Sequence, residues 1–191
     1  MKKLVYTLIA LMVLTVFMVG CTTVVPETDL SRKGPNGQAG NSNIAHLYLY
    51  EKIPGPIVVP PIPWDLVEGG AWGKMKYNQT GETFDFVFNG HGLVADQEYC
   101  LIYYEDPGFG WPNGMPNIYC LGMGTANAGG EVHIADSATP GTLPWVNDIN
   151  EDGAKIWLVL SADVDCDNQL MIGWNPTEYL FEGELITFTE E

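Results

Sequence analysis

The sequence is poor in basic residues, with 8 Lys and Arg against 24 Asp and Glu and a formal net charge of −16 at pH 7. Nucleic acids and anionic lipid surfaces are bound through clusters of Lys and Arg, so this shortage argues against both classes of partner. An acidic surface favours solubility and leaves metal ions and basic partners open.

The motifs of common enzyme classes are also missing. There is no C-x-x-C pair, nucleophile elbow, phosphate loop or H-E-x-x-H motif. The histidines, His46, His91 and His133, have no metal or base spacing, and we expect them to be structural; His91 could face Glu105 or Asp106. Those two acids are adjacent on a strand and point to opposite faces, which spoils them as a catalytic pair. We therefore do not expect an enzyme, and a small secreted hydrolase is only the second alternative.

After the N-terminal segment, no stretch keeps a helical period, and short runs of β-branched and aromatic residues alternate with Gly, Asn, Asp and Pro. This pattern predicts an all-β domain, an antiparallel β-sandwich. The predicted strands are Ala45–Tyr50, Ala71–Tyr77, Thr83–Phe88, Tyr99–Tyr104, Ile118–Leu121, Glu131–Ala135, Lys155–Leu160 and Tyr179–Phe188.

The N-terminus has the form of an export signal, since Lys2 and Lys3 precede an uncharged apolar run that ends at Cys21. Met18-Val19-Gly20-Cys21 resembles the lipobox of lipoproteins, which implies lipidation of Cys21 and attachment to the membrane through that lipid. A cleaved signal without lipid, or an uncleaved anchor, is the alternative. Each of these places the rest of the chain outside the cytoplasm.

Residues 22–43 are rich in Pro, Gly, Ser and Asn and have few large apolar side chains. Such a segment cannot bury enough surface to offset its ordering entropy, so we predict a flexible polar tether. The remaining residues, 44–191, are sufficient for one domain with its own core.

Three short segments predict how that core is built. Phe84, Phe86 and Phe88 occupy alternate positions and should be buried together on one face of a strand. Asn78-Gln79-Thr80-Gly81 has turn chemistry, so the strands on either side should form a hairpin. By contrast, Ile156–Leu160 is apolar on both faces, as in a central strand that is covered on each side.

The run from Gly92 to Leu101 resembles the tyrosine corner of fibronectin-type and immunoglobulin-like sandwiches, with Leu93 and Tyr99 at the matching positions. In that corner the Tyr hydroxyl bonds to upstream backbone. The resemblance implies an immunoglobulin-like sandwich and carries no function with it.

Longer segments, among them AWGKMKYNQTGETFDFVFNGHGL, EYCLIYYEDP, CLGMGTANAGGEVHIA and IWLVLSADVDC, resemble a family of uncharacterised secreted and lipid-anchored β-sandwich proteins of methanogenic archaea and some bacteria. The resemblance spans most of residues 66–188. It implies an extracellular β-sandwich and no particular chemistry.

Besides Cys21, the chain has Cys100, Cys120 and Cys166. An extracytoplasmic location permits one disulfide among them. We favour Cys120 with Cys166, because packing inside a strand explains Cys100. One sequence does not fix the connectivity.

A calcium site is suggested by Asp148, Asn150 and Asp152, which with Gly153 match the first half of an EF-hand loop. The bidentate Glu expected at the twelfth position is Val159, so an acid such as Asp163, Asp165 or Asp167 would have to complete the site. The alternative is a turn stabilised by its own side chains.

Three tryptophans, Trp111, Trp145 and Trp174, lie in loop-like contexts and could form a platform for a sugar ring, with Asp106, Asn113 or Asn117 bonding its hydroxyls. Rings in such positions can equally close the ends of a sandwich core. In addition, Asn78-Gln79-Thr80 is a glycosylation sequon in a predicted turn.

Taken together, these features predict a lipid-anchored extracytoplasmic module that binds an unknown protein or glycan ligand or has a structural role. A carbohydrate-binding module that uses the loop tryptophans is the first alternative.

Overall fold

The computed structural model describes residues 42–55, 64–104, 118–144 and 153–191. The predicted signal, the tether as far as residue 41, the calcium-loop residues and two of the three loop tryptophans lie outside these ranges, namely Cys21, Asp148, Asn150, Asp152, Trp111 and Trp145. Within the described ranges, no helix has the length and apolar character needed to cross a membrane.

The described chain is built almost entirely of β-strands, which confirms the predicted all-β class. Two short 3-10 helices, Ser161–Asp163 and Pro176–Glu178, are the exceptions. The strands are β1 Ile44–Tyr50, β2 Trp72–Asn78, β3 Thr80–Gly81, β4 Phe84–His91, β5 Glu98–Tyr104, β6 Ile118–Thr125, β7 Val132–Ala138, β8 Lys155–Leu160, β9 Val164–Asp165, β10 Leu170–Met171, β11 Phe181–Glu182 and β12 Thr189–Glu190.

Two antiparallel sheets form the sandwich. The first has the order β11-β1-β2-β4-β7 and the second has the order β6-β5-β8. Two smaller pairings join β9 to β10 and, in parallel, β3 to β12.

One predicted strand, Tyr179–Phe188, is not continuous. Leu180 bridges to Leu158 of β8, and Ile186 bridges to Ala154, the residue before β8. Glu182 instead pairs with Leu49 of β1, and Phe188 bridges to Leu143. Because the segment changes partners along its length, it does not form a single ladder.

The predicted zigzag of phenylalanines is confirmed in β4. Phe84, Phe86 and Phe88 are buried, while Asp85 and Val87 between them are exposed. The alternation follows from the two-residue repeat of an extended backbone. Truncating one such buried ring to Ala commonly costs about 3–5 kcal/mol, so these three side chains are major contributors to stability.

The two sheets approach each other closely where β6 carries glycine. A Cβ on Gly122 would lie 3.0 Å from Ile134 Cγ2 and 3.3 Å from the Phe86 ring. A Cβ on Gly124 would lie 2.9 Å from Ile134 Cγ1. The absence of these side chains lets apolar groups of the first sheet fill the space.

The second sheet is covered on both faces, as the apolar run of β8 predicts. Its inner face packs on the first sheet. Its outer face carries Trp157, whose ring contacts the rings of Trp174 and Phe181 from the segment that follows β9 and β10. The strand order nevertheless places β5 at the centre of this sheet and β8 at its edge. Leu180 of the C-terminal segment forms an isolated β-bridge with Leu158 at that edge.

Tyr99 makes the bond that the corner resemblance implies. Its hydroxyl accepts a hydrogen bond from the backbone N of Val94 at 3.2 Å, and its ring is buried. The finer immunoglobulin-like assignment stays a prediction.

Candidate functional site

The disulfide that the sequence favours is present. Cys120 in β6 is joined to Cys166, which lies in the turn between β9 and β10, with the Cα atoms 5.6 Å apart. The bond ties the β9–β10 hairpin to the outer face of the second sheet.

Cys100 is a free, buried thiol beside this disulfide. Its Sγ lies 3.9 Å from Cys166 Sγ, and the sulfur atoms of Cys100, Cys120 and Cys166 all lie within 4.8 Å of one another. Burial raises the pKa of Cys100 to about 12, so it is a protonated thiol at neutral pH. The sequence does not reveal this cluster, because strand pairing and the β9–β10 turn bring its members together.

Trp174 is the one predicted platform residue within the described ranges, and 36% of it is exposed. Its ring lies 5.9 Å from that of Trp157, 6.4 Å from that of Trp64 and 6.5 Å from that of Phe181. Trp157 and Phe181 are buried. Trp174 is thus the outermost ring of an aromatic cluster that covers the second sheet.

The loop that carries Trp174 is fixed by a buried carboxylate. Asp163 accepts hydrogen bonds from the Tyr179 hydroxyl at 2.5 Å and from Asn175 Nδ2 at 2.8 Å. The Tyr179 hydroxyl in turn accepts one from the backbone N of Asn175 at 2.9 Å. A Cβ on Gly173 would lie 2.0 Å from Asp163 Oδ1, so only glycine lets the loop pass this close.

Two of the three acids proposed to complete a calcium site, Asp163 and Asp165, accept local hydrogen bonds. Asp163 belongs to the network just described, and Asp165 accepts hydrogen bonds from the backbone N and side-chain Nδ2 of Asn168 at 3.0 and 2.7 Å. These contacts account for both side chains without a metal ion.

A partly buried acid also lies at the aromatic cluster. Glu182 accepts a hydrogen bond from Trp157 Nε1, and its backbone oxygen accepts one from Lys52 Nζ at 2.7 Å. Burial raises the pKa of the Glu182 carboxyl, although the Lys52 and Lys155 ammonium groups act in the opposite direction.

The sequon residue Asn78 is not presented to solvent. It is buried, and its Nδ2, the atom that would carry a glycan, donates to the backbone oxygens of Thr80 at 3.1 Å and Thr83 at 2.8 Å. Its Oδ1 accepts a bond from the backbone N of Asp85 at 2.7 Å. The side chain therefore closes the predicted β2–β4 hairpin, and this geometry argues against glycosylation of the folded chain.

The outer face of the first sheet, by contrast, carries exposed aromatic side chains. Three cross-strand rows lie on it, and we call them together the open face. The rows are Tyr50–Trp72–His91, Tyr48–Lys74–Asn89–His133 and His46–Lys76–Val87–Ala135.

The aromatic side chains of the open face are only partly covered. Trp72 is 41% exposed and Tyr48 is 38% exposed. The Trp72 and His91 rings have their centroids 4.6 Å apart, and those of Tyr48 and Tyr50 are 6.3 Å apart and nearly parallel. Lys74 Nζ lies 5.3 Å from the Tyr48 centroid. Since strands are about 4.8 Å apart and alternate residues about 6.7 Å, the face measures roughly 14 Å in each direction.

The polar groups of the open face are held by neighbours on the same face or at its edge. Asn89 Oδ1 lies 2.8 Å from His133 Nδ1, and His91 Nδ1 lies 3.8 Å from Glu131 Oε1. The side chains of Lys74 and Lys76 also lie on this face. Burial, followed by the charges of these two lysines, lowers the pKa of His46. The three histidines therefore share one surface, which single positions in the sequence do not show.

The open face has a rigid support, because the opposite side of the same strands is the sandwich core. Leu47, Met75 and Phe88 are fully buried there. A Cβ on Gly73 would lie 2.2 Å from the Phe88 ring, so this glycine lets that ring pack directly beneath β2 between Trp72 and Lys74.

The chain matches no family model, no curated protein and no solved structure. The signal for the open face was present in the sequence as the alternation of Trp72, Lys74 and Lys76 with Gly73, Met75 and Tyr77.

Proposed function

We propose that the chain is a lipid-anchored extracytoplasmic binding module and that its open face binds carbohydrate. The export signal and Cys21 would place the domain outside the cytoplasm, and residues 22–43 would hold it away from the membrane. The observation that carries the proposal is the pair of exposed rings, Trp72 and Tyr48, on the outer face of an ordered sheet.

The chemistry of a sugar ring suits this surface. One side of a pyranose is largely apolar and stacks on an aromatic ring, while its hydroxyls need donors and acceptors at the edge. Lys74, Asn89 and His133 occupy the row next to Trp72 and offer both kinds of group. A sheet that is already ordered loses little conformational freedom when a ligand binds.

Glycan binding is tested with a glycan array and with pull-down on insoluble cellulose and chitin, comparing the wild-type chain with Trp72→Ala and Tyr48→Ala. An exposed aromatic anchor at a binding centre contributes about 2 kcal/mol or more, so Trp72→Ala should raise the Kd by about 30-fold or more. Met123→Ala removes another exposed apolar side chain, from β6 in the second sheet, and is the matched control.

Trp174→Ala distinguishes binding at the open face from binding at the aromatic cluster that contains Trp174. Binding that is lost in Trp174→Ala and kept in Trp72→Ala would place the ligand at the aromatic cluster instead of the open face. The absence of any carbohydrate ligand for the wild-type chain would leave a protein-binding or structural role as the better proposal.

A secreted hydrolase is the second proposed function, and Glu182 is the residue that favours it. A carboxyl with a raised pKa beside a tryptophan has the character required of a general acid. Release of reducing sugar ends that persists in Trp72→Ala and disappears in Glu182→Gln would support hydrolysis.

A further inference from the structure

We propose that Cys100, Cys120 and Cys166 form a binding site for one thiophilic Cu(I) ion when the Cys120–Cys166 disulfide is reduced. The proposal is independent of the open face. It rests on three cysteine sulfurs from β5, β6 and the β9–β10 turn that meet at one point.

The distances fit a single ion. Metal–thiolate bonds of about 2.3 Å directed to the corners of a triangle place the sulfurs about 4 Å apart. Cys100 Sγ and Cys166 Sγ are 3.9 Å apart, and no two of the three sulfurs are separated by more than 4.8 Å. Reduction breaks the bond between Cys120 and Cys166, so their sulfurs can move apart to the separation that such a triangle needs.

The type and number of donors together favour Cu(I). Thiolates favour soft ions such as Cu(I) and zinc, but structural zinc almost always takes four ligands, whereas this cluster offers three sulfurs. The cluster is partly accessible, because Cys100 is buried while Cys120 and Cys166 are each partly exposed. An ion can therefore reach the two outer sulfurs first and bind the inner one afterwards.

The chemistry balances in two steps. A dithiol reductant supplies two electrons and two protons to the Cys120–Cys166 bond, yielding two thiols, and is itself oxidised to a disulfide. Cu(I) then forms three bonds to sulfur and displaces the three thiol protons to solvent. Affinity should consequently rise with pH.

The test uses the full chain carrying Cys21→Ser, so that no fourth thiol competes. The chain is reduced with dithiothreitol, desalted and titrated anaerobically with Cu(I) against a bicinchoninate competitor. One Cu(I) per chain is expected, with three sulfur neighbours in X-ray absorption, and the oxidised chain should not compete for the ion.

Cys100→Ser is the decisive variant, because Cys100 takes no part in the disulfide and its replacement leaves that bond intact. Removing a residue that only hydrogen-bonds to a metal ligand commonly weakens metal binding by about 10–100-fold. Removing a ligand itself should therefore weaken Cu(I) binding by at least about 10-fold and leave two sulfur neighbours. Unchanged affinity in Cys100→Ser, tight binding by the oxidised chain, or loss of the near-ultraviolet circular dichroism on reduction would each overturn the proposal.

Discussion

Tyr179→Phe tests whether the buried network around Asp163 holds the Trp174 loop in place. The substitution removes one oxygen and keeps the ring, which is fully buried. That oxygen donates to Asp163 Oδ2 at 2.5 Å and accepts from the backbone N of Asn175 at 2.9 Å. Two groups therefore lose a partner at once.

The magnitude follows from what is left behind. A hydrogen bond to a charged group contributes about 1.5–3 kcal/mol, and the part-buried Asn175 N–H that loses its acceptor adds about 1 kcal/mol, the lower end of the cost of an unsatisfied donor. Asn175 Nδ2 still donates to Asp163, which reduces the loss of stability. We therefore expect the free energy of unfolding to fall by about 3 kcal/mol, which for a domain of this size lowers Tm by about 6–12 °C.

Urea denaturation and calorimetry of the two chains measure the change. Tyr119→Phe, which removes a hydroxyl from a partly exposed tyrosine outside the network, is the control and should shift Tm by less than about 2 °C. The fraction of tryptophan fluorescence that a soluble quencher reaches should also rise in Tyr179→Phe, and this rise should be absent when Trp174 is replaced by Phe in both chains. If Tyr179→Phe and Tyr119→Phe have equal stability, the network does not stabilise the loop and the reasoning is refuted.

Two further predictions concern pH and calcium. Because the folded-state pKa of Glu182 is raised, its contribution to stability is complete below the unfolded pKa of about 4.3 and is lost as the pH rises through the folded pKa. Glu182→Gln stays neutral, so urea denaturation should show it gaining stability relative to wild type as the pH rises above about 4; a constant difference would contradict this cause. We also propose that Asp148, Asn150 and Asp152 bind calcium, in which case calcium at about 100 times its Kd adds about 2.7 kcal/mol and raises Tm by about 5–10 °C. The rise should vanish in an Asp148→Asn, Asp152→Asn double variant, and an identical Tm with calcium and with chelator would count against the site.

Much of the fold could be predicted because its signals are local. The alternation of Phe84, Phe86 and Phe88 is set by an extended backbone whatever the strand pairs with, and these three residues are buried on one face as predicted. The strand itself is Phe84–His91, where Thr83–Phe88 was predicted. The prediction of one continuous strand between Tyr179 and Phe188 was wrong, because the pairing partner changes along this segment. No local sequence pattern indicates which strand a segment will pair with.

The candidate sites were less predictable for the same reason. Trp174 was expected in a loop and lies in one, but the Asp163 carboxylate that fixes that loop is identified only by its contacts with Asn175 and Tyr179. Asn78 fits a sequon and a turn equally well in sequence, and only its burial distinguishes them.

The sequence by itself determined the all-β class, the alternating core strands and the acidic surface, because each depends on composition or on neighbours along the chain. Only the tertiary structure decided that Trp72, Tyr48 and the histidines share the open face, and that three distant cysteines meet within 4.8 Å. Both are products of strand register and of the way one segment folds over a sheet. These contacts are long-range, and the local sequence around each residue does not indicate which distant residue it will contact.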